Sequence, residues 1–302
     1  MSRKTLQILL GVVGALLVVY GVTVAVGPRT GSPARADALA SAIESIDPKR
    51  VTAIRFYGPG DTVELRRGDR GWLANGYPAD SGLVAMLWEA LEEARVGQLV
   101  ARNPANHGRL GVAEDSARVA EFDRGSGEPV RLLVGREGPS YPSVYVRLPG
   151  RDEVYLLHAD LAPAARRSLT QWRDRTIVRV DTARVNRIEV EREGGRYVLA
   201  RENGRWTLDG SAADSLAVSN LLRELALLVA SDFAPDTARL PERKVRTVTA
   251  LGAAGDTLAR LTFGEGDARG WWVRVAGTET LYQIPAWQAD RLAPERAEFV
   301  GR

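Results

Sequence analysis

The feature that most constrains the fold of this chain is an internal repeat. Residues 51–99 align with residues 185–233 at a constant offset and without a gap. The shared positions are apolar residues, turn glycines and one helix start, and they include no nucleophile beside a base. They include Ile54 and Ile188, Gly60 and Gly194, Leu65 and Leu199, Trp72 and Trp206, Asp80 and Asp214, and Leu91 and Leu225. This duplication predicts two similar domains whose shared residues build the fold.

Each copy of the repeat begins with the pattern of an antiparallel meander and continues as a helix. In the first copy, residues 51–57 and 62–66 alternate in polarity on either side of a Gly-Pro-Gly-Asp turn. Asp80 is a suitable N-cap for a helix whose apolar stripe is Val84, Leu87, Trp88 and Leu91. We interpret Gly97 as the residue that stops this helix.

The remainder of each copy reads as a further set of strands. In the first copy we predict a loop at 107–112, a closing helix at 161–172 and strands at 119–122, 130–134, 144–148 and 154–157. The second copy has matching strands at 247–251, 258–263, 271–275 and 281–284. The predicted fold class is therefore α+β: two tandem homologous domains, each an antiparallel sheet with one main helix packed on a face, after one N-terminal transmembrane helix.

Residues 6–26 form a charge-free apolar run. As a helix the run is about 31 Å long, which matches a hydrocarbon core of about 30 Å. Arg3 and Lys4 precede it, so we expect residues 1–5 to be a cytoplasmic tail and residues 27–302 to be extracytoplasmic. A cleaved signal peptide is the alternative, with a small-residue site at 34–36 that lies well beyond the apolar run.

The predicted organisation of the exported part has three segments. Residues 27–47 contain a Gly/Pro/Ser linker and a short amphipathic helix, on which Leu39, Ile43 and Ile46 share a face. Residues 48–178 form the first repeat domain and residues 179–302 the second.

Charge argues against a nucleic-acid-binding function. The chain has 41 Lys and Arg against 38 Asp and Glu, and residues 1–30, which contain no acid, supply the excess. The rest is formally neutral, whereas a nucleic-acid-binding domain needs a net positive face. The cluster Arg166, Arg167, Arg173 and Arg175 is either a solvated helix face, which we favour, or a local basic patch.

No motif for catalysis or metal binding is found in the sequence. Cysteine is absent, and His107 and His158 have no partner at metal-ligand spacing. No P-loop or nucleophile elbow occurs. The acidic pairs Glu114-Asp115 and Asp152-Glu153 lie in turn-like segments, and nothing places them in one cleft. We expect neither an enzyme nor a cofactor.

Aromatic and basic residues of the later hairpin are the candidate ligand or partner surface. Trp271 and Trp272 are adjacent in a predicted strand, so one of them faces away from the core. Tyr145 is the counterpart of Trp272, and Arg147 is the counterpart of Arg274. Each arginine is either a structural ion-pair partner or a clamp for a ligand carboxylate.

The order of these features resembles the bacterial domain-of-unknown-function 4340 family. The residues that carry the resemblance are Trp72, Gly135, Tyr145-Val146-Arg147, Tyr155, Arg173-Asp174-Arg175 and Trp206. The family's Tyr-Gly-Leu…Pro loop is only partly present, as Leu110-Gly111-Val112. The resemblance implies an extracytoplasmic protein encoded beside ABC-type transporters, including relatives of gliding-motility components. It implies no catalytic residue.

Two functions follow as hypotheses. The first is a non-catalytic, membrane-anchored accessory or scaffold protein of the bacterial inner membrane, partnered with an ABC-type permease or other envelope proteins. The alternative is an envelope glycan- or peptide-binding module that uses the exposed aromatics of the second domain.

Overall fold

Two compact units make up the chain in the computed structural model, which describes residues 33–235, 237–268 and 270–300. The first unit ends at Arg173 and the second begins at Asp174. The predicted domain boundary lies slightly later, between residues 178 and 179. Strand β10 (Thr176–Val178) precedes that point and pairs with β15 (Leu228–Val229), which belongs to the second unit.

The first unit is built on a nine-stranded antiparallel sheet with strand order β4-β3-β2-β1-β6-β7-β8-β9-β5. Its strands are β1 (Ala53–Tyr57), β2 (Val63–Gly68), β3 (Gly71–Ala74), β4 (Tyr77–Pro78), β5 (Arg95–Ala101), β6 (Arg118–Asp123), β7 (Val130–Glu137), β8 (Val144–Arg147) and β9 (Val154–His158). Its helices are α1 (Pro33–Glu44), α2 (Ser81–Glu92), α3 (His107–Leu110), α4 (Leu161–Arg166) and α5 (Leu169–Trp172). Because α2 links edge strand β4 to the opposite edge strand β5, it crosses one face of the sheet and buries its apolar stripe there.

The second unit repeats this topology. The order of its large sheet is β14-β13-β12-β11-β17-β18-β19-β20-β16, which matches the first sheet strand for strand. The strands are β11 (Arg187–Arg192), β12 (Gly195–Glu202), β13 (Arg205–Leu208), β14 (Ser211–Ala212), β16 (Asp232–Phe233), β17 (Arg246–Leu251), β18 (Thr257–Glu265), β19 (Trp271–Val275) and β20 (Tyr282–Ile284). The helices are α6 (Ser215–Ala226) and α7 (Ala286–Leu292). The predicted α+β class with two antiparallel sheets is confirmed.

The two predicted helix caps are confirmed by their hydrogen bonds. The Asp80 carboxylate accepts from the backbone N–H groups of Gly82 and Leu83, at 2.9 and 3.1 Å. The Asp214 carboxylate accepts from the N–H of Ala217 at 2.8 Å. A short polar side chain at this position satisfies N–H groups that the first helical turn leaves without partners.

An aromatic residue anchors the end of each unit, and the sequence comparison missed this correspondence. Trp172 is fully buried and stacks on Phe56, with ring centroids 5.7 Å apart. In the second unit Phe299 is fully buried and packs on Tyr197, with a centroid distance of 5.6 Å. The carbonyl of Trp172 accepts the Asp80 N–H, and that of Phe299 accepts the Asp214 N–H. Each aromatic residue therefore ties the end of its unit to the start of the main helix.

Three local predictions are wrong. The segment predicted as a loop at 107–112 contains helix α3, which ends at Gly111 in a left-handed conformation. The helix predicted at 161–172 is two helices, because Arg167 is extended and Ser168 caps α5 in a capping box with Gln171. Gly97 does not stop α2, which ends at Glu92; it lies inside β5, where a Cβ would come within 2.8 Å of the His158 ring.

Within the described residues, no helix is long and apolar enough to cross a membrane. The predicted membrane segment at 6–26 lies outside them. The amphipathic helix predicted after the linker corresponds to α1, on which Leu39 and Ile43 are buried.

A ladder of ion pairs crosses one face of the first sheet. Glu121 is only 6% exposed, and its two oxygens accept from Arg55 at 2.7 Å and from Arg131 at 2.6 Å. Arg55 also pairs with Glu64 at 2.8 Å. Burial on its own raises the pKa of Glu121, but the hydrogen bonds from Arg131 and Arg55 outweigh it and hold that pKa below its ordinary value of 4.5.

This ladder predicts acid-sensitive stability of the first unit. Because the pKa of Glu121 is lowered on folding, its contribution is complete above pH 4.5 and is lost as the pH falls through the folded-state value. We expect Glu121→Gln to lower the free energy of unfolding at neutral pH by about 1–3 kcal/mol and to flatten the acid dependence. Denaturant unfolding at neutral and acidic pH measures both effects. Glu93→Gln, at an exposed position of the same unit, is the control, and equal acid profiles for the two variants would contradict the prediction.

Candidate functional site: an arginine-lined cleft

The predicted surface residues of the second unit are more enclosed than expected. Trp271 packs on the core side against Phe263, with centroids 6.2 Å apart, and lies under the Arg246 guanidinium at 4.3 Å. Trp272 lies on the other face, half-buried, and its Nε1 is enclosed with no hydrogen-bond partner in the described part of the chain. Arg274 is exposed to solvent. Neither tryptophan is a fully open platform.

The matching residues of the first unit hold a loop against the sheet. Tyr145 packs in a small apolar cluster with Leu110 and Val112 of the segment around α3. Arg147 is 3% exposed and donates to the carbonyls of Val112 at 2.9 Å and Arg151 at 2.6 Å. Its ion pair with Glu114 is longer, at 3.5 Å. Arg147 therefore fixes backbone in this unit, whereas its counterpart Arg274 is exposed.

A cleft of about 700 Å³ opens beside this loop, and arginines dominate its lining. The turn between β1 and β2 forms one wall, and the residues around α3 and the end of α4 form the others. The charged side chains of the lining are Arg118, Arg136, Arg166, Arg167 and Asp61. Among the described residues, none of these four arginines forms an ion pair with a carboxylate. The cleft therefore has a strong excess of positive charge.

Arg118 is the buried base of the cleft. It is 9% exposed, and its Nε donates to the Ala165 carbonyl at 2.9 Å. Its Nη1 donates to the carbonyls of Pro59 and Asp61, both at 2.9 Å. Burial lowers the pKa of the Arg118 guanidinium, while the Asp61 charge raises it and the Arg166 charge lowers it. Nη2 has no protein acceptor in the described part of the chain.

A β-bulge places Arg136 at the cleft. Val134 pairs with Val146 and Glu137 with Val144, so Gly135 and Arg136 together oppose Tyr145. An extra residue in one strand redirects side chains locally, and such bulges are frequent beside binding sites. The bulge is closely covered, because a Cβ on Gly135 would lie 2.4 Å from the Leu110 carbonyl oxygen.

The remaining two arginines come from the break between α4 and α5. Arg166 donates to the carbonyls of Ala162 and Gly135, which ties the end of α4 to the bulge. Arg167 lies over the Trp172 ring, with its guanidinium carbon 4.9 Å from the centroid. Burial lowers the pKa of Arg167, and the charges of Asp160 and Asp80 raise it. Arg166 and Arg167, which we interpreted from the sequence as part of a solvated helix face, therefore border a concave site.

Sequence reasoning did not find Arg118 or Arg136 as site residues. Arg118 and Arg166 are more than forty positions apart in the sequence. The hydrogen bond from Arg118 to Ala165, 47 residues away, shows that only the tertiary structure brings these segments together. Arg136 lies between the two aligned segments of the repeat, where the offset changes. That change of offset was the one available signal, because it marks a length difference between the copies.

Comparison with known proteins gives a family but no activity. A family model described as a domain of unknown function (DUF4340) matches residues 73–247. The chain belongs to the DUF4340 family. The match includes α2, most strands of the first sheet and all four cleft arginines. No curated protein and no solved structure matches this DUF4340 chain.

Proposed function

We propose that this DUF4340 protein is a non-catalytic accessory or scaffold protein of an ABC-type transport complex in the bacterial inner membrane. Residues 6–26 anchor the chain, residues 1–5 stay in the cytoplasm, and residues 27–302 form the extracytoplasmic part. The charge-free run at 6–26 supports the anchor. The association with a transporter is supported by the resemblance to the DUF4340 family, which implies a protein encoded beside ABC-type transporters.

The main support for the scaffold function is that the residues shared by the two units have structural roles. Their common residues cap the main helix, fill the core and fix the turns, as Asp80 and Asp214 illustrate. Duplicating such residues duplicates a stable platform and leaves the surface of each copy free to diverge. A platform of this kind suits a partner-binding subunit.

Site-specific photo-cross-linking in native membranes tests this function. A photoreactive residue is placed at exposed apolar positions, Tyr141 of the first unit (83% exposed) and Leu216 of the second (70% exposed). We expect at least one position to give a covalent adduct with a permease subunit. The same residue at Asp69, in an exposed polar turn, is the control. Recovery of the chain without any transporter subunit from every position would contradict the proposal.

The alternative glycan- or peptide-binding function would use the aromatics of the second domain, Trp271 or Trp272, from a candidate surface set that also includes Tyr145, Arg147 and Arg274. Trp271 and Tyr145 are engaged in packing and Arg147 in backbone hydrogen bonds, which leaves Trp272 and Arg274 as the residues that a ligand would contact. We therefore retain the scaffold function as the proposal.

A further inference from the structure

We propose that the arginine-lined cleft of the first unit binds the phosphate group of a phosphorylated ligand. Arg118 forms the base of this site, and Arg136, Arg166 and Arg167 surround it. The volume of about 700 Å³ lies in the range of small-molecule sites and exceeds what one phosphate fills. The site therefore has room for the group to which the phosphate is attached. This inference does not depend on the proposed transporter association.

Arg118 is held in place before any ligand arrives. Three backbone carbonyls on two separate segments fix its Nε and Nη1. A guanidinium locked in this way loses little conformational entropy on binding, and its Nη2, which has no acceptor among the described residues, is left to donate to phosphate oxygens. A buried cation with a second cation beside it also favours an anionic partner, and Arg166 supplies that second charge.

The second unit provides an internal comparison for this cleft, because it is a copy of the same fold. Arg118 is the first residue of β6 and pairs with Val134, and Arg246 is the first residue of β17 and pairs with Phe263. Val134 and Phe263 each precede a glycine that both units share, so Arg246 occupies the position of Arg118. Arg246 is neutralised by Asp290 at 2.7 Å and lies over Trp271. The same fold therefore contains this arginine in a neutralised form, and the first unit lacks the corresponding carboxylate among its described residues.

The other three arginines have no basic counterpart. β18 pairs with β19 without a bulge, so the extra residue Arg136 is absent from the second unit. The segments from Leu157 to Trp172 and from Ile284 to Phe299 have equal length, which places Ala293 and Pro294 at the positions of Arg166 and Arg167. Since the second unit forms the same sheet without them, the fold does not require these arginines. Their convergence on one cleft is explained by a ligand.

The chemistry of the cleft favours phosphate over a single carboxylate. Four arginines line the cleft, and Asp61 is the one acid among its described lining residues. A phosphate monoester carries close to two negative charges at neutral pH and three strong acceptor oxygens. A lone carboxylate offers one charge and two oxygens, so it would leave most of these donors unused.

Calorimetric titration of the purified full chain with sodium pyrophosphate, in an uncharged detergent at low ionic strength, tests the proposal. We expect saturable binding by the unmodified chain. Arg136→Gln should weaken it about tenfold or more, since a charge-assisted hydrogen bond is lost. Arg136 is exposed and donates no hydrogen bond within the described residues, so its replacement leaves the fold intact. Arg274→Gln removes an exposed arginine from the other unit and should leave the affinity unchanged.

A second matched pair keeps the test independent of folding defects. Arg118→Gln and Arg246→Gln each remove a partly structural arginine from equivalent positions. With both variants folded by circular dichroism, only Arg118→Gln should lose pyrophosphate binding. If Arg118→Gln does not fold, Arg167→Gln replaces it with the same expected loss. Equal losses in the variants of both units would show general charge attraction and overturn the proposal.

Two further titrations define the ligand class and its source. Citrate carries several carboxylates, and affinity equal to that of pyrophosphate would overturn the preference for phosphate. Micelles containing phosphatidylglycerol, compared with micelles containing phosphatidylcholine, test a lipid headgroup as the source. Binding to phosphatidylglycerol alone that Arg136→Gln abolishes would assign the site to a lipid phosphate. No binding of either pyrophosphate or phosphatidylglycerol would overturn the proposal.

Discussion

Replacing Trp172 with Ala is expected to lower the free energy of unfolding of the first unit by about 3–5 kcal/mol, as for other buried aromatic residues. Trp172 is fully buried, and its ring stacks on Phe56 at a centroid distance of 5.7 Å. Its carbonyl accepts the Asp80 N–H at 2.8 Å, so the residue also positions the start of α2. Truncation removes the stacking and leaves a cavity in the core of the first unit.

Thermal unfolding measures this effect. A loss of that size should lower the midpoint of the first unit's transition by roughly 10 °C. Trp172→Phe is the conservative control, because the equivalent position of the second unit is occupied by Phe299, which is also fully buried. We expect it to cost much less than Trp172→Ala. A midpoint shift of Trp172→Ala no larger than that of Trp172→Phe would contradict the anchoring role.

Replacing Arg147 with Ala is expected to destabilise the first unit by about 2–4 kcal/mol, because it leaves the buried Val112 carbonyl without its donor and removes a second bond to Arg151. Arg147 is 3% exposed and donates to Val112 and Arg151, two points on separate loops. Arg274→Ala is the matched control at the equivalent position of the second unit. Arg274 is exposed, so we expect a change within about 0.5 kcal/mol.

This pair of variants distinguishes the two interpretations of the shared arginine. A structural role predicts a large difference between the two free energies of unfolding, measured with denaturant. A ligand clamp predicts two folded, equally stable variants. Equal stabilities would therefore return Arg147 to the set of candidate ligand-binding residues.

The sequence predicted those parts of the fold that depend on local pattern. The caps at Asp80 and Asp214 and the stripe of Val84, Leu87 and Leu91 follow from residue type and helical spacing. The strand order could not be predicted from local pattern, because the edge strand β5 pairs with β9, the last strand of this sheet in the sequence. That pairing is long-range, and Gly97 within β5 reads locally as a helix stop.

The cleft was harder to predict than the fold for a related reason. Its arginines come from β6, β7 and the break between α4 and α5, which only the tertiary structure brings together. Arg136 reaches the site through an extra residue in a strand, and polarity alternation does not reveal a bulge. Comparing the two copies of the repeat also reveals only the residues that they share, whereas the cleft arginines Arg136, Arg166 and Arg167 are residues at which the two copies differ.

We infer that one copy of the duplicated scaffold has become a binding site while the other has not. The stoichiometry of pyrophosphate binding to the full chain tests this difference between the two copies most directly. We predict one equivalent per chain, with that single site weakened about tenfold or more by Arg136→Gln. Two equivalent sites per chain, or one site that Arg136→Gln leaves unaffected, would contradict it.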